Sequence, residues 1–452
     1  MLMNMITTKL RHMKKTLFIC AAWLSLSVAT AQETVYPAKE QKGLLFIKNG
    51  TVHVGNGQVI ENATIEVRDG KITKVGSNIA IPADDVKVYD AKGKHVYPGL
   101  ILPTSTLGIQ EIGGNAVRGS NDYREIGDVN AGVRALAAYN ADSKIINTVK
   151  ANGILLAHII PQGSLVGGVS SVVQLDAWNY EDAAYAPDNG MNLYMPSLLA
   201  GPGGRFGRLF AAFGGQIQTD PVKQALDRIE AVKEFFRDAK AYYQKDAKTS
   251  INIKFEAARP LFEKKQKLFV HCDQVKQMLL ALDFVKEFGF DVVIVGGSES
   301  WQIADLLKQN NVPVILSQMH NLPTLDDDDI DQPFKTPAAL QKAGVLFAIT
   351  DDDSQNRGRN MPFNAGTAVA YGLDKEAAIS AMTLNTAKIL GIANRTGSIE
   401  VGKDANIVIS EGDILDMRSS KISHAFIQGR HVSLDNKHSQ LYERYKHKYG
   451  IK

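Results

Sequence analysis

Val96-Tyr97-Pro98-Gly99-Leu100-Ile101-Leu102-Pro103-Thr104-Ser105-Thr106 is the stretch on which the fold turns. Upstream of it the chain reads as β structure punctuated by tight turns. Leu44–Ile47, Thr51–Val54, Ala63–Val67 and Lys71–Val75 are short β-rich runs separated by Asn49-Gly50, Asn56-Gly57 and Asp69-Gly70, dipeptides that tolerate the positive φ of hairpin turns. The pattern predicts a meander of antiparallel strands, continued by Lys87–Asp90 and His95–Tyr97. Pro98 cannot donate to a sheet ladder and closes it.

Downstream, strand and helix signals alternate. Lys267–Cys272 is a short apolar strand, and Val275, Met278, Leu279, Leu282 and Val285 then recur at helical spacing before the strand Asp291–Val295. Two more such units follow. Ser298 can cap a helix carrying Trp301, Ile303, Leu306 and Leu307, then come the strand Pro313–Ser317, a helix near Pro337–Lys342 and the strand Val345–Thr350. Earlier strands are expected at Ile154–Ile160 and Ser170–Leu175, with a long helix through Pro221–Tyr243. Strand–helix units of this length imply an α/β protein with a parallel sheet covered by helices. A closed barrel and an open doubly wound sheet give the same local signals. After helices at Ala365–Tyr371 and Lys375–Leu390 the signals return to β at Ala405–Ser410 and Ile422–Gln428, so the two chain ends are expected to meet in one small domain. Residues 434–452 read as a C-terminal helix with a solvated charged face.

At 452 residues and 44% hydrophobic composition the chain can bury a large core. Residues 1–31 read as a secretory signal: Lys14-Lys15 precedes the apolar run Leu17–Val28, and Ala29-Thr30-Ala31 supplies small residues before Gln32. The run is too short for a bilayer-spanning helix, which predicts a periplasmic or secreted protein with no stable membrane span after cleavage. Removing Lys9, Arg11, Lys14 and Lys15 takes the formal charge from +3 to −1. A nearly neutral mature chain without a basic stripe gives no electrostatic case for nucleic acid. Only Cys272 would remain of the two cysteines, which rules out an intrachain disulfide. The run Asp326–Asp329 lacks the spaced ligands of a calcium loop and reads as a solvated acidic loop. Gly201-Pro202-Gly203-Gly204-Arg205 lacks the Lys-Ser/Thr of a phosphate loop and reads as a flexible segment.

Three segments in order resemble the amidohydrolase superfamily: the meander ending in Tyr97-Pro98-Gly99-Leu100-Ile101, the helix Thr383–Gly391, and the return Gly397-Ser398-Ile399-Glu400-Val401-Gly402-Lys403-Asp404-Ala405-Asn406. Pro161–Gly168 and Phe363–Gly372 are most similar to the branch of imidazolonepropionase-related amidohydrolases. The resemblance implies a (β/α)8 TIM-like barrel over residues 99–398 and a composite β-sandwich from 43–98 and 399–433. It also implies a centre at the C-terminal mouth of the barrel, where a divalent metal, usually zinc, activates water.

Carried over position by position, the ligand set is incomplete. The first-strand His-x-His pair falls on Thr104 and Thr106, and the sixth-strand His on Gly296. The fifth-strand His matches His271 and the last-strand Asp matches Asp351. His271 and Asp351 are thus the candidate catalytic residues and the candidate residual metal ligands, too few for a catalytic zinc site with its usual three protein ligands. Asp352, Asp353 and His320 are further oxygen and nitrogen donors for a weaker site. Arg357 and Arg359 are candidates to hold a substrate carboxylate by paired hydrogen bonds. Cys272, adjacent to His271 on a strand, points to the opposite face and reads as a core residue. The expected activity is hydrolysis of a non-peptide C–N bond in a small molecule: a cyclic amide, N-acyl or dipeptide-like compound. The alternative is a non-catalytic homologue that binds a small ligand, or pairs with a related, metal-complete amidohydrolase subunit or with its own copies.

Overall fold

The computed structural model describes residues 36–451 apart from 84–85, 112–121, 164, 199–219, 246–249, 318, 326 and 352–356. The expected signal segment, the Gly201–Arg205 stretch, Asp326, Asp352 and Asp353 lie outside the described residues. Residues 38–452 form one compact unit; of the preceding residues only Tyr36 and Pro37 are described.

Strands from both chain ends share one sheet. From the N-terminal end come β1 (Leu44–His53), β2 (Val59–Arg68), β3 (Lys71–Gly76), β4 (Lys87–Asp90) and β5 (His95–Pro98), and from the other β14 (Ile407–Ser410), β15 (Ile422–Ile427) and β16 (Arg430–His431), in the order β16-β15-β14-β5-β1-β2-β3 with β4 also on β1. The expected meeting of the ends is present, as one hydrogen-bonded sheet rather than two. Two details differ from the meander. β4 and β5 pair parallel to β1, end to end along it. Asn49-Gly50 is not a hairpin turn but an irregularity inside β1, where a Cβ on Gly50 would lie 2.7 Å from Val96 Cγ2. Asp69-Gly70 does make the predicted turn, with φ of 48° and 78°. Leu45, Ile47, Ile65, Val67, Val96, Ile407 and Phe426 fill the core of this sheet.

The second sheet carries β6 (Leu100–Ser105), β7 (Ile154–Ile159), β8 (Val166–Gln174), β9 (Ala184–Tyr194), β10 (Lys267–Cys272), β11 (Val292–Gly296), β12 (Val314–Leu316) and β13 (Phe347–Ile349), neighbours in chain order. It is a nearly closed barrel. β8 runs antiparallel to both β7 and β9, whereas a regular (β/α)8 barrel is all parallel. The connections explain this: residues 160–165 and 175–183 are shorter than the dozen or so residues a parallel crossover needs. The β8–β9 connection holds a single helical turn, Tyr180–Ala183, and the other connections carry the rest of the helices: α1 (Lys144–Lys150) between β6 and β7, α2 (Pro221–Tyr243) and α3 (Ile253–Phe262) between β9 and β10, α4 (Val275–Phe288), α5 (Ala304–Gln309) and α6 (Gln332–Ala343). After β13 come α7 (Met361–Ala370), α8 (Lys375–Met382) and α9 (Leu384–Ile389), and the chain ends in α10 (Lys437–Tyr449), none of whose residues is buried.

Alternation along the barrel strands sets two cores. Ile101, Leu156, Val172, Phe269, Val293, Ile315 and Ala348 pack together with Ala387 and Ile389 of α9, while Leu100, Leu155, Val270, Ile294 and Val314 belong to the cluster that includes the covering helices. Side chains of the first set point inward. Continuing that alternation to the strand ends delivers His158 and His271 to the mouth.

Candidate active site

His271 is the fifth residue of β10, two beyond inward-facing Phe269. Its ring stacks on Tyr194 at 4.1 Å between centroids, and its Nε2 lies 3.0 Å from Asn192 Oδ1. Asn192 Nδ2 donates to the Gly168 carbonyl, which leaves Oδ1 as acceptor and assigns the proton to His271 Nε2. Desolvation, with a smaller contribution from His158, pushes its pKa down to about 3. The imidazole is therefore neutral at pH 7, with Nδ1 carrying the lone pair.

His158 was not among the residues singled out from sequence. It is fully buried on β7, its Nδ1 donates to the Pro103 carbonyl at 2.9 Å, and burial lowers its pKa to about 4. The signal was available: His158 is the one polar residue in an apolar strand and shares the inward parity of Leu156. Asn192 and Tyr194 were missed because β9 contains Pro187 and Asp188, the latter at φ 51°, and reads as a turn.

A cavity of about 200 Å³ opens beside His271, lined also by Met195, Asp273, Gln277, Gly296 and Ser317. Asp273 and Ser317 also line a neighbouring cavity of about 310 Å³ that reaches Ser298, Asn321, Asp328 and Gln332. The lining is rich in hydroxyl, amide and carboxylate groups. Asp273 Oδ1 accepts from Ser298 Oγ at 2.8 Å.

Asp351 follows β13 and is 1% exposed. Arg357 Nε lies 3.2 Å from its Oδ1, and Asn364 Nδ2 donates to its Oδ2 at 3.1 Å. Arg357, predicted to grip a substrate, thus also grips Asp351; Arg359 lies half-buried on the same 3-10 turn, Arg357–Asn360. Asp351 is not among the residues lining the His271 cavity.

The positions onto which the resemblance carried the family's histidines have other duties. Thr104 Oγ1 donates to Thr350 Oγ1 at 3.2 Å, joining the first and last barrel strands where no ladder does. Thr106 bonds Gln110. Gly296 has φ +100°, and a Cβ there would lie 2.6 Å from Asp273 Oδ1, so no side chain fits. His320 is turned to Thr367 on α7, and Cys272 is buried in the helix-side core, with its thiol pKa raised by burial. Among the described residues no three His, Cys, Asp or Glu side chains are grouped to hold a metal ion. His271 and Asp351 are engaged by Asn192 and Arg357 instead, and the described residues do not fit the family's metal.

A polar mouth at the strand ends of a barrel, with a buried aspartate after the last strand, is the arrangement of a barrel enzyme. Residues 246–432 match the profile of the Amidohydrolase family. The chain is 21% identical over 387 residues to amidohydrolase tasK of Hapsidospora irregularis, covering 79% of this chain and 38% of that protein, so it spans well under half of that relative. It is 24% identical over 372 residues to imidazolonepropionase of Thermoplasma volcanium, covering 78% and 85% of the two chains. Among solved structures, an amidohydrolase from Thermotoga maritima MSB8 superposes with a TM-score of 0.73 at 27% identity, over 86% of this chain and 99% of the other. A molinate hydrolase, at 18% identity and a TM-score of 0.51 over 88% and 96%, shares the fold. This chain belongs to the amidohydrolase superfamily.

Proposed function

We propose that the protein hydrolyses a C–N bond in a small polar molecule of the cyclic amide, N-acyl or dipeptide-like kind, bound at the C-terminal mouth of the barrel. The observation that carries this reading is Asp351, a buried carboxylate at the end of the last strand whose two oxygens are oriented by Arg357 and Asn364. An acidic residue there has little packing reason to exist. Superfamily membership and the activity named for the imidazolonepropionase relative support the reaction class. In the reaction water adds to the carbonyl carbon and the C–N bond breaks. Asp351 takes the proton from water and passes it to the departing nitrogen. Neutral His271, through Nδ1, accepts a hydrogen bond from water or substrate. In the same proposal the protein is exported and works as a homo-oligomer or beside a related, metal-complete subunit.

A second reading, binding without turnover, is favoured by the contacts of Asp351 with Arg357 and Asn364, which occupy the carboxylate that hydrolysis would use. One experiment separates the two. Purified protein is offered N-acyl amino acids, lactams and dipeptide analogues while release of free amine is followed. Turnover that Asp351→Asn abolishes supports hydrolysis; ligand-induced thermal shifts without amine release support binding alone.

A further inference from the structure

Away from the barrel mouth, three titratable side chains form a hydrogen-bonded row where the chain-end sheet meets the helices after β13. His53, the last residue of β1, is 4% exposed. Its Nδ1 lies 2.8 Å from Glu376 Oε1 on α8, and its Nε2 lies 3.0 Å from Nδ1 of His95, the first residue of β5. The parallel pairing of β1 with β5 brings them together, with Thr51 opposite His95. Tyr97 stacks on both rings, at 4.4 and 6.0 Å between centroids. The reaction proposed above uses none of these groups.

The chemistry of the row is that of an oriented ligand pair. Glu376 can only accept while ionised, so it places the His53 proton on Nδ1 and leaves a lone pair on Nε2. A carboxylate behind an imidazole in this way is the usual support of a metal-bound histidine, fixing its tautomer and raising its basicity. Two imidazole nitrogens each about 2.0–2.1 Å from one zinc ion, at angles of about 90–110°, lie about 2.9–3.4 Å apart, and the observed 3.0 Å falls in that interval. Accepting a metal requires that the His95 proton move from Nδ1 to Nε2 and that the two rings turn until their lone pairs meet about 40° off the line between the nitrogens. Burial and the neighbouring His53 keep the His95 imidazole neutral, the form that binds a metal, while the carboxylates of Asp413 and Glu61 outnumber the ammonium of Lys375, itself paired with Asp413. Glu376 Oε2 is buried without a hydrogen-bond partner, leaving negative charge that a bound cation would offset. The other histidine pair, His424 and His431, has the same 3.0 Å separation, but its electrostatic neighbours are Lys94 and Lys87.

We infer that His53 and His95, backed by Glu376, form a binding site for a divalent transition metal of the zinc class, separate from the barrel mouth, with water completing the coordination. The ion clamps β1 and β5 of the chain-end sheet and, through Glu376, links them to α8.

The test uses the full-length mature protein, stripped with chelator, dialysed and titrated with zinc by calorimetry, with bound metal counted by elemental mass spectrometry. The expected result is one equivalent of zinc. Affinity should fall at least tenfold in H53Q and in H95Q, and about 10- to 100-fold in E376Q, with no change in H271N, D351N or H431N. Should H53Q fail to fold, half-buried His95 and the isosteric Glu376→Gln decide the matter. Absence of zinc uptake by the wild-type protein would overturn the inference. So would uptake that survives H95Q but is lost in H271N, D351N or H431N.

Discussion

Gly296 stands where the resemblance implies a metal-binding histidine, and its backbone disfavours any side chain. With φ +100° and Asp273 Oδ1 2.6 Å from the Cβ position, even alanine is strained there. Gly296→Ala should cost about 1–3 kcal/mol, measured by denaturant unfolding, and Gly296→His should not create a metal site at the mouth. His158 gives a pH prediction at the same scale. Its folded pKa, about 4, is below the ordinary 6.5, so the fold favours the neutral imidazole and its contribution is complete above about pH 6.5. As pH falls from 6.5 toward 4 the unfolded chain takes up the proton first, and stability declines by up to about 1.4 kcal/mol per pH unit. His271, lowered for the same reason, adds to the slope. Unfolding curves from pH 7 to 4 should be measurably flatter in His158→Asn than in wild type; parallel curves would contradict the burial argument. The placement of His271 and Asp351 at the ends of barrel strands was legible because each closes a strong apolar run. The groups that occupy them were not, since Asn192, Arg357 and Asn364 meet them only through tertiary contact.

At the level of elements, the barrel is closed at one seam by side chains. Thr104 follows β6's regular stretch and Thr350 follows β13; their hydroxyls meet at 3.2 Å. Thr104→Val keeps the shape, removes that hydrogen bond and leaves the Thr350 hydroxyl buried, with an expected loss of about 1–3 kcal/mol in chemical denaturation. An unchanged midpoint would show that the seam needs no staple. The strands with clean alternation or unbroken apolar runs, β7 and β10 to β13, were readable from sequence. β9 was hidden by Pro187 and Asp188, and the antiparallel course of β8 could be inferred only from the shortness of the loops around it. Asn49-Gly50 misled for a related reason: a dipeptide that permits a turn also permits a bulge, and the packing of Val96 and Ala91 against Gly50 decides which forms.

Over the whole molecule, the chain-end sheet and barrel are joined by covalent continuity at Gly99 and by a buried charge cluster. Lys150, 2% exposed, lies 3.2 Å from Asp176 Oδ1, and Arg430 of β16 lies 3.1 Å from Asp176 Oδ2. The Ala38 amide donates to the same carboxylate at 2.8 Å. Asp176→Asn would leave two buried cations facing each other without an anion, a loss of about 3–5 kcal/mol that should appear as a lower melting temperature. That both ends of the chain meet was legible in the return of β signals after Leu390; the charge cluster was not, because its members lie far apart in sequence. The same distinction applies to function, where lineage speaks for C–N bond hydrolysis and the family's metal ligands are missing. Amine release from a panel of lactams, N-acyl amino acids and dipeptide analogues, by wild type and Asp351→Asn in the presence of chelator, tests the central claim most directly. The account predicts turnover by the wild type that falls at least about 100-fold in the variant. Turnover unchanged by Asp351→Asn, or absent from the wild type on every C–N substrate, would contradict it.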